Sequence, residues 1–460
     1  MIKRIITVLL AIVMLLSLAS AVFAENDNSE QVNGEETNSE KVNTDEEKNE
    51  KEKGKLSIAS PYGILVDGNT GMVLFKKSAS ERVYPADLTK IMTAVLVLEN
   101  CKLEEVATAS ETALSNIPAG ASSILVTGEQ LSVRQLLYAM LLASSADSAN
   151  VLAEKTSGSI EEFVSLMNKK AEELQMKNTH FTNPTGEHDE RHYTTAEDMA
   201  KLAVYAMQKD EFCEIVKCGS YTIPETDKYS SVREIKNTNR LIKKETEYYY
   251  KYATGMKTGF TAEAKICIAA SAKKDDVSAI ALLFGADGQG YDDCAAMFDF
   301  VLENYQGQSV VKKGDIVAQT VVVNTRRNNK LILKTDAGVS VLRKKGEGEH
   351  KVTYKDTLPK EISAPIKMNQ VVGTRDYYIG KDKICTVNLI ADKDYALDPI
   401  SFIVNKMIAF VTSPWLFLFI ILAVIAYVFV ERRRRRIKRL KRREERENRR
   451  KMMEEEIGKM

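Results

Sequence analysis

The chain has 460 residues, of which 44% are hydrophobic and 28% charged, and its formal net charge is only +1. This length and apolar content suffice for two globular domains with their own cores. The six cysteines are too sparse for a disulfide scaffold, although Cys213 and Cys218 could pair. No Cys/His cluster or HExxH spacing indicates a metal, and we predict neither a metal nor a cofactor.

The N-terminal residues predict an exported protein. Residues 1–24 begin with Lys3 and Arg4, continue with an apolar run, and end in Val22-Phe23-Ala24. This pattern is typical of a secretory signal peptide, and a retained N-terminal anchor is the alternative. Residues 25–55 carry 11 acidic and 5 basic residues and almost nothing apolar. We expect them to form an acidic disordered linker.

Residues 56–307 are predicted to form an α+β domain. Two strands flank the turn "DGNTG", and helical patterns dominate from Leu88 to about Lys209. Two further strand patterns, in "AKICIAASAKKDDVSAIALLFGAD", and the helix "GYDDCAAMFDFVLENY" complete this domain. Strands at both ends of a helical block favour one shared sheet. Short strand patterns in 308–397 ("VVVNT", "KLILKT", "VSVLRK", "KICTVNLIA") predict a small all-β domain.

The C-terminal end predicts a single membrane span. The segment 407–430 contains no charged residue and is long enough to cross a bilayer. Residues 431–460 contain 15 basic and 7 acidic residues, and dense Arg/Lys after an apolar span marks the cytoplasmic side. The tail therefore predicts a cytoplasmic segment near anionic lipid, with the folded domains outside the cell. Nucleic-acid binding is a disfavoured alternative for this tail.

Three short motifs in the first domain carry chemistry. "DLTK" opens a helix at Asp87 and Lys90, "SSAD" follows an apolar helical run at Ser144, and "KTG" (Lys257, Thr258, Gly259) begins a strand. Penicillin-interacting serine enzymes use SxxK, SxN and KTG motifs. In SxxK, a lysine one helical turn after a serine can take the proton of its hydroxyl group. KTG on an edge strand can bind a carboxylate and pair with an extended peptide.

The flanking sequence resembles the D-alanyl-D-alanine carboxypeptidases of the low-molecular-weight penicillin-binding protein type. The resemblance rests on "GILVDGNTGMVLFKKSASERVYPA", "NPTGEHDERHYTTAEDMAKLA", "NTNRLI" and "GMKTGFTAEA", and runs from about Ser57 to Leu397. It implies a helical block on an antiparallel sheet, an appended β domain and a role in peptidoglycan metabolism. It also implies that Lys257, Thr258 and Gly259 bind the D-Ala-D-Ala end of a wall stem peptide.

Three positions depart from the family pattern. Asp87 stands where active members have the serine nucleophile, and Ala146 stands where the SxN motif has asparagine if Ser144 is the motif serine. A shift by one residue would instead make Ser145-Ala146-Asp147 the motif. Lys265 stands where relatives usually have glycine.

These departures predict an impaired active site. Attack by the Asp87 carboxylate on an amide would give a mixed anhydride, which is less stable than the amide. A carboxylate beside Lys90 also favours the charged lysine, which is no base. We therefore expect a degenerate homologue that binds wall peptides or a protein partner. One alternative is a working D,D-carboxypeptidase, supported by Lys90, Ser144 and Lys257, that removes the terminal D-alanine by an altered route. A second is a purely structural charge cluster of Asp87, Lys90 and Lys257, and a third is a passive ectodomain that anchors a functional basic tail.

Overall fold

The structure, a computed structural model, describes residues 56–115, 117, 120–326 and 329–457. The predicted signal peptide (1–24) and acidic linker (25–55) lie outside the described residues. The described helices are α1 (Thr89–Asn100), α2 (Glu111–Ser115), α3 (Val133–Ala143), α4 (Ala146–Ser157), α5 (Ile160–Glu173), α6 (Ala196–Ala206), α7 (Asp210–Lys217), α8 (Gly290–Asn304), α9 (Pro399–Val411) and α10 (Pro414–Ile457).

The strands divide into two groups along the chain. The first group is β1 (Tyr62–Asp67), β2 (Val73–Lys77), β3 (Val106–Thr108), β4 (Gln130–Ser132), β5 (Ser220–Ile223), β6 (Arg233–Lys236), β7 (Ala253–Thr261), β8 (Lys265–Lys274) and β9 (Val277–Ala286). The second group is β10 (Tyr305–Val311), β11 (Ile316–Val323), β12 (Asn329–Thr335), β13 (Val339–Lys344), β14 (Val352–Thr357), β15 (Ile362–Ser363), β16 (Val371–Ile379) and β17 (Asp382–Ala391).

A five-stranded antiparallel sheet with the order β2-β1-β9-β8-β7 organises the first domain. Strands from both ends of the domain meet where β1 pairs with β9, as the sequence pattern predicted. The helical block packs on one face around the buried α1, and α8 packs on the other face. Strand β7 lies at one edge of this sheet, so among the described residues one of its sides has no strand partner.

The predicted α+β class and the appended all-β domain are confirmed. The second domain contains a six-stranded sheet with the order β14-β16-β17-β12-β11-β15 and the pair β10-β13. It is attached to the first domain through β13. The Leu342 N–H donates to the buried Asp67 carboxylate at 2.7 Å, and the Asn69 amide donates to the Ser340 carbonyl at 3.1 Å.

The predicted span 407–430 is interrupted in the structure. Helix α9 ends at Val411, and α10 begins at Pro414. Proline lacks an N–H donor and disfavours helical backbone at the residue before it, which explains the break. From Pro414 to Val430 the sequence carries no charge, and the helix that contains this run is long and apolar enough to cross a membrane. The candidate span therefore starts at Pro414 rather than at Met407.

Candidate active site

Asp87 and Lys90 lie where the chain enters α1. A 3-10 turn, Ala86–Leu88, precedes the helix and places the Asp87 carboxylate near the positive end of the helix dipole. The Lys90 ammonium group donates one hydrogen bond to Asp87 Oδ1 and another to the Thr185 carbonyl at 2.7 Å. The exposed fraction is 2% for the Lys90 side chain and 25% for the Asp87 side chain. The pair therefore has a buried cation and a partly exposed anion.

The backbone around Asp87 is tightly held. Ala86 has a φ of 47°, a left-handed conformation that costs a residue with a side chain roughly 1–3 kcal/mol. A Cβ added to Gly186 would stand 1.9 Å from the Ala86 carbonyl oxygen, and one added to Gly259 would stand 2.6 Å from the Asp87 nitrogen. Only glycine permits such close approach at these two positions. Residue 87 is thus clamped between the 186 loop and strand β7.

Ser144 and Lys257 meet across the site. Ser144 ends α3 with a φ of 58°, and Lys257 lies within β7, opposite Ala269 of β8. The KTG motif is therefore in the middle of its strand rather than at the start, which corrects the sequence prediction. Lys257 Nζ donates to Ser144 Oγ and, at 2.6 Å, to the Thr258 carbonyl.

Lys257 is almost completely enclosed, with 1% of its surface exposed. Burial lowers the pKa of Lys257 to about 8; the Asp87 carboxylate opposes this shift and the charge of Lys90 adds to it. A substantial fraction of Lys257 is therefore neutral in mildly alkaline solution.

The structure places the neighbouring Ser145 and Asp147 away from Lys257. Ser145 caps α4 and donates to the Asp147 carboxylate. Asp147 also accepts hydrogen bonds from the backbone N–H groups of Ile124 and Leu125 at 2.6 and 2.7 Å. Both Ser145 and Asp147 are buried. Ser145 and Asp147 therefore hold the 122–125 segment against α4. Of the two adjacent serines, Ser144 is the one that faces Lys257, while Ala146 is a buried residue in the first turn of α4.

A cavity of about 450 Å³ opens beside these groups. Its lining residues are Asp87, Ser144, Thr238, Arg240, Tyr248, Thr258, Gly259, Phe260, Ile266, Gly288 and Tyr291. Lys90 and Lys257 lie behind Asp87 and Ser144, outside this lining. Arg240 lines the cavity, and the Lys90 and Lys257 ammonium groups contact the lining residues Asp87 and Ser144. These three basic groups outnumber the one carboxylate of the lining, so the site favours an anionic ligand.

Arg240, Thr238, Tyr248 and Tyr291 are site residues that the sequence analysis did not single out. The Arg240 guanidinium lies 5.5 Å from the ring centre of Tyr248 and 5.9 Å from that of Tyr291. Thr238 and Thr258 hydroxyl groups are 3.0 Å apart. Thr238 and Arg240 belong to "NTNRLI", so that segment held the available signal, whereas no local pattern marks Tyr248 or Tyr291.

Within the described ranges, no group of three or more His, Cys, Asp or Glu residues could hold a metal ion. Cys213 and Cys218, which the sequence allowed to pair, are free thiols, and their Sγ atoms donate to the carbonyls of Met207 and Ser220.

Comparison with known proteins identifies the two domains. Residues 46–288 match the model of the D-alanyl-D-alanine carboxypeptidase family, and residues 305–396 match that of the penicillin-binding protein 5 C-terminal domain. The chain is 35% identical over 379 residues to the D-alanyl-D-alanine carboxypeptidase DacF of Bacillus subtilis, covering 81% of this chain and 89% of the relative. It is 30% identical over 336 residues to DacC of Escherichia coli, covering 70% and 80%.

Solved structures of similar proteins share this architecture. Penicillin-binding protein 5 of Haemophilus influenzae aligns with a TM-score of 0.53 and 26% identity, over 74% of this chain and 98% of that protein. A fold likeness also extends to penicillin-binding protein 3 of Streptococcus pneumoniae, described as a peptidoglycan synthesis regulatory factor, with a TM-score of 0.56, 23% identity, and coverage of 74% and 100%. Both domains match their family models, and the first of them contains residue 87. The chain therefore belongs to the D-alanyl-D-alanine carboxypeptidase family of low-molecular-weight penicillin-binding proteins.

Proposed function

We propose that this protein is a membrane-anchored, extracellular peptidoglycan-binding member of its family that has lost acylation at position 87. The observation that carries the proposal is the Asp87–Lys90 ion pair at the point where the family resemblance places the serine nucleophile and its lysine base. The lysine that would accept a proton is instead buried against a carboxylate.

The chemistry of Asp87 argues against turnover at this residue. A carboxylate that attacks an amide forms a mixed anhydride and expels an amine, and this step is uphill because the anhydride is the more reactive acyl compound. The Lys90 ammonium group also holds the carboxylate in place with charge-assisted hydrogen bonding. Ala146 offers no amide to orient a substrate, so two functional groups expected of an active member are absent.

The geometry supports peptide binding independently of catalysis. Strand β7 is a sheet edge, which can pair with an extended peptide backbone. Among the described residues Arg240 has no salt bridge, and it lines the cavity with Ser144 and Thr258. A stem peptide ending in D-Ala-D-Ala would bring one carboxylate to this basic site. The C-terminal helix from Pro414 would keep the domain at the membrane surface, with the basic tail in the cytoplasm.

Two measurements test the proposal on the full-length protein in detergent. A fluorescent penicillin should leave no adduct in tryptic peptide 83–90, which contains Asp87. A peptide ending in D-Ala-D-Ala should bind, and its amidated form should bind less well. A penicillin adduct on residue 87, or equal binding of both peptides, contradicts the proposal. The double variant Asp87→Ser, Ala146→Asn is the matched control for a restored family site.

A second candidate is a D,D-carboxypeptidase that removes the terminal D-alanine without a serine at position 87. The contact between Lys257 Nζ and Ser144 Oγ favours it because it pairs a hydroxyl group with a lysine of lowered pKa. Release of D-alanine from a pentapeptide, abolished in Lys257→Ala, would support this candidate. No release at high protein concentration would exclude it.

A further inference from the structure

Ser144 and Lys257 form a hydroxyl–amine pair distinct from the Asp87–Lys90 ion pair. Ser144 lines the cavity, whereas the Lys257 side chain lies behind it with 1% of its surface exposed. Their side chains are in hydrogen-bond contact, and Lys257 Nζ is oriented by a second hydrogen bond to the Thr258 carbonyl at 2.6 Å. A nucleophile, an adjacent base and a third group that orients the base are the parts of an activated serine.

The backbone presents the Ser144 hydroxyl to the cavity. Helix α3 ends at Ala143 and α4 begins at Ala146, so the chain reverses across two residues. Ser144 adopts the left-handed conformation at this reversal, with a φ of 58°. Its neighbour Ser145 is buried and is fully engaged with Asp147 and Ser148, so the two serines have different environments.

The charge state of Lys257 permits a base role. As an ammonium ion, Nζ donates to both Ser144 Oγ and the Thr258 carbonyl. As a neutral amine, Nζ can still donate to Thr258 while its lone pair accepts the Ser144 O–H. Burial brings the pKa of Lys257 down to about 8, so both forms are populated near that pH. The Asp87 carboxylate, already paired with Lys90, is neutralised where it borders the same cavity.

We infer that Ser144, with Lys257 as its base, is a relocated nucleophile that attacks acyl compounds bound in this cavity. The inference rests on the proposed function, because it uses the same cavity as the binding site for a D-Ala-D-Ala peptide. Ser144 Oγ bonds to the carbonyl carbon of the penultimate D-alanine, and its proton passes to Lys257 Nζ. The C–N bond then breaks, and the departing amine of the terminal D-alanine takes that proton. Water attacks the Ser144 ester, again giving its proton to Lys257, which returns it to Ser144 Oγ.

The test uses a serine-reactive fluorophosphonate on the full-length protein in detergent, between pH 6 and 10. Tryptic peptide 135–155 contains Ser144, whereas peptide 83–90 contains Asp87, so mass mapping separates the two positions. Fragmentation of peptide 135–155 distinguishes Ser144 from Ser145 and Ser148. We expect one adduct on Ser144, with a labelling rate that rises through about pH 8.

Four variants separate a base role from a structural role. Ser144→Ala should abolish the adduct, whereas Ser145→Ala is the neighbouring control and should retain it. Lys257→Arg keeps the positive charge but has no neutral form at these pH values, so labelling should fall about 10²–10⁴-fold. Ser148→Ala, at the third serine of the same tryptic peptide, should still label at Ser144. Thermal unfolding of each variant verifies that the fold is intact.

The outcomes distinguish this inference from the proposed function. Peptide binding without any Ser144 adduct, or labelling unaffected in folded Lys257→Arg, overturns the inference and leaves the binding proposal standing. A Ser144 adduct without peptide binding supports the dyad and contradicts the assigned ligand. Absence of both the Ser144 adduct and peptide binding overturns the inference and the proposed function together.

Discussion

The Lys90 ammonium group is bound by the Asp87 carboxylate one helical turn before it, inside the start of the helix around which the core is built. Since a buried charge without a partner is costly, Asp87 contributes to stability.

We first predict that Asp87→Ala lowers the free energy of unfolding by about 1–3 kcal/mol, because it leaves the buried Lys90 with only the Thr185 carbonyl. Lys90→Met removes the cation instead, and the double variant should lose less than the sum of the two single variants. Denaturant unfolding of the four proteins measures this coupling. Strictly additive losses would mean that the ion pair contributes nothing to stability.

The second prediction concerns restoration of the family site. Asp87→Ser, Ala146→Asn replaces both departures, while Lys90, Ser144 and Lys257 are already in place. We expect this variant to form a penicillin adduct in tryptic peptide 83–90, and we expect none in that peptide of the wild type. Asp87→Asn, Ala146→Asn has the same number of changes and no hydroxyl group, so it should stay unlabelled there. A folded but unlabelled serine variant would show that further groups are missing.

The third prediction is an acid-sensitive contribution from His192. Burial lowers the pKa of His192 to about 4, with the charge of His180 acting in the same direction. His192 Nδ1 accepts the Thr182 N–H at 3.1 Å, so Nε2 carries the proton and donates to Thr89 Oγ1 at 2.9 Å. The neutral ring therefore joins α1 to the 182 segment.

Because the folded-state pKa lies below the ordinary value of about 6.5, the unfolded state binds more protons between these two values. The contribution is fully present above about pH 6.5 and is lost as the pH falls toward 4, by at most about 3 kcal/mol. Urea unfolding at several pH values should reveal this slope, and His192→Gln should flatten it. An identical slope in folded His192→Gln would assign the acid sensitivity to other groups.

The fourth prediction concerns Lys265, where the family resemblance leads us to expect glycine. Lys265 has a φ of 57° at the turn between β7 and β8. Lys265→Gly should therefore raise the free energy of unfolding by about 0.5–1 kcal/mol. Lys273→Gly, at a regular position of the same strand, should lower it by a similar amount. Thermal or chemical unfolding of both variants decides whether backbone strain or the lysine side chain matters at position 265.

Local patterns predicted the framework because each element carries its own signal. The strands around "DGNTG", the β8–β9 hairpin around "KKDD" and the helix start at Ser159 follow directly from alternation, turn residues and capping. Pro414 is also a local signal, because proline interrupts a helix and favours an end of the preceding helix before it.

The cavity was less predictable because its residues come from segments far apart in the chain. Tyr248 and Tyr291 border the same space as Asp87, although no periodicity connects them. Which of the two serines contacts Lys257 depends on where α3 ends. Helix ends are poorly defined by sequence alone. The contact between Asp87 and Lys90 follows from their spacing of three residues, whereas the shape of the cavity around them required tertiary packing.

The absence of side chains at Gly186 and Gly259 fixes the path of the backbone through residue 87 from both sides. That path is imposed by neighbours and does not depend on which group residue 87 carries. A substitution at position 87 can therefore change the group presented to the cavity while the backbone around it keeps its path. The protein is therefore a suitable host for engineering, because the fixed backbone would orient a new side chain introduced at position 87.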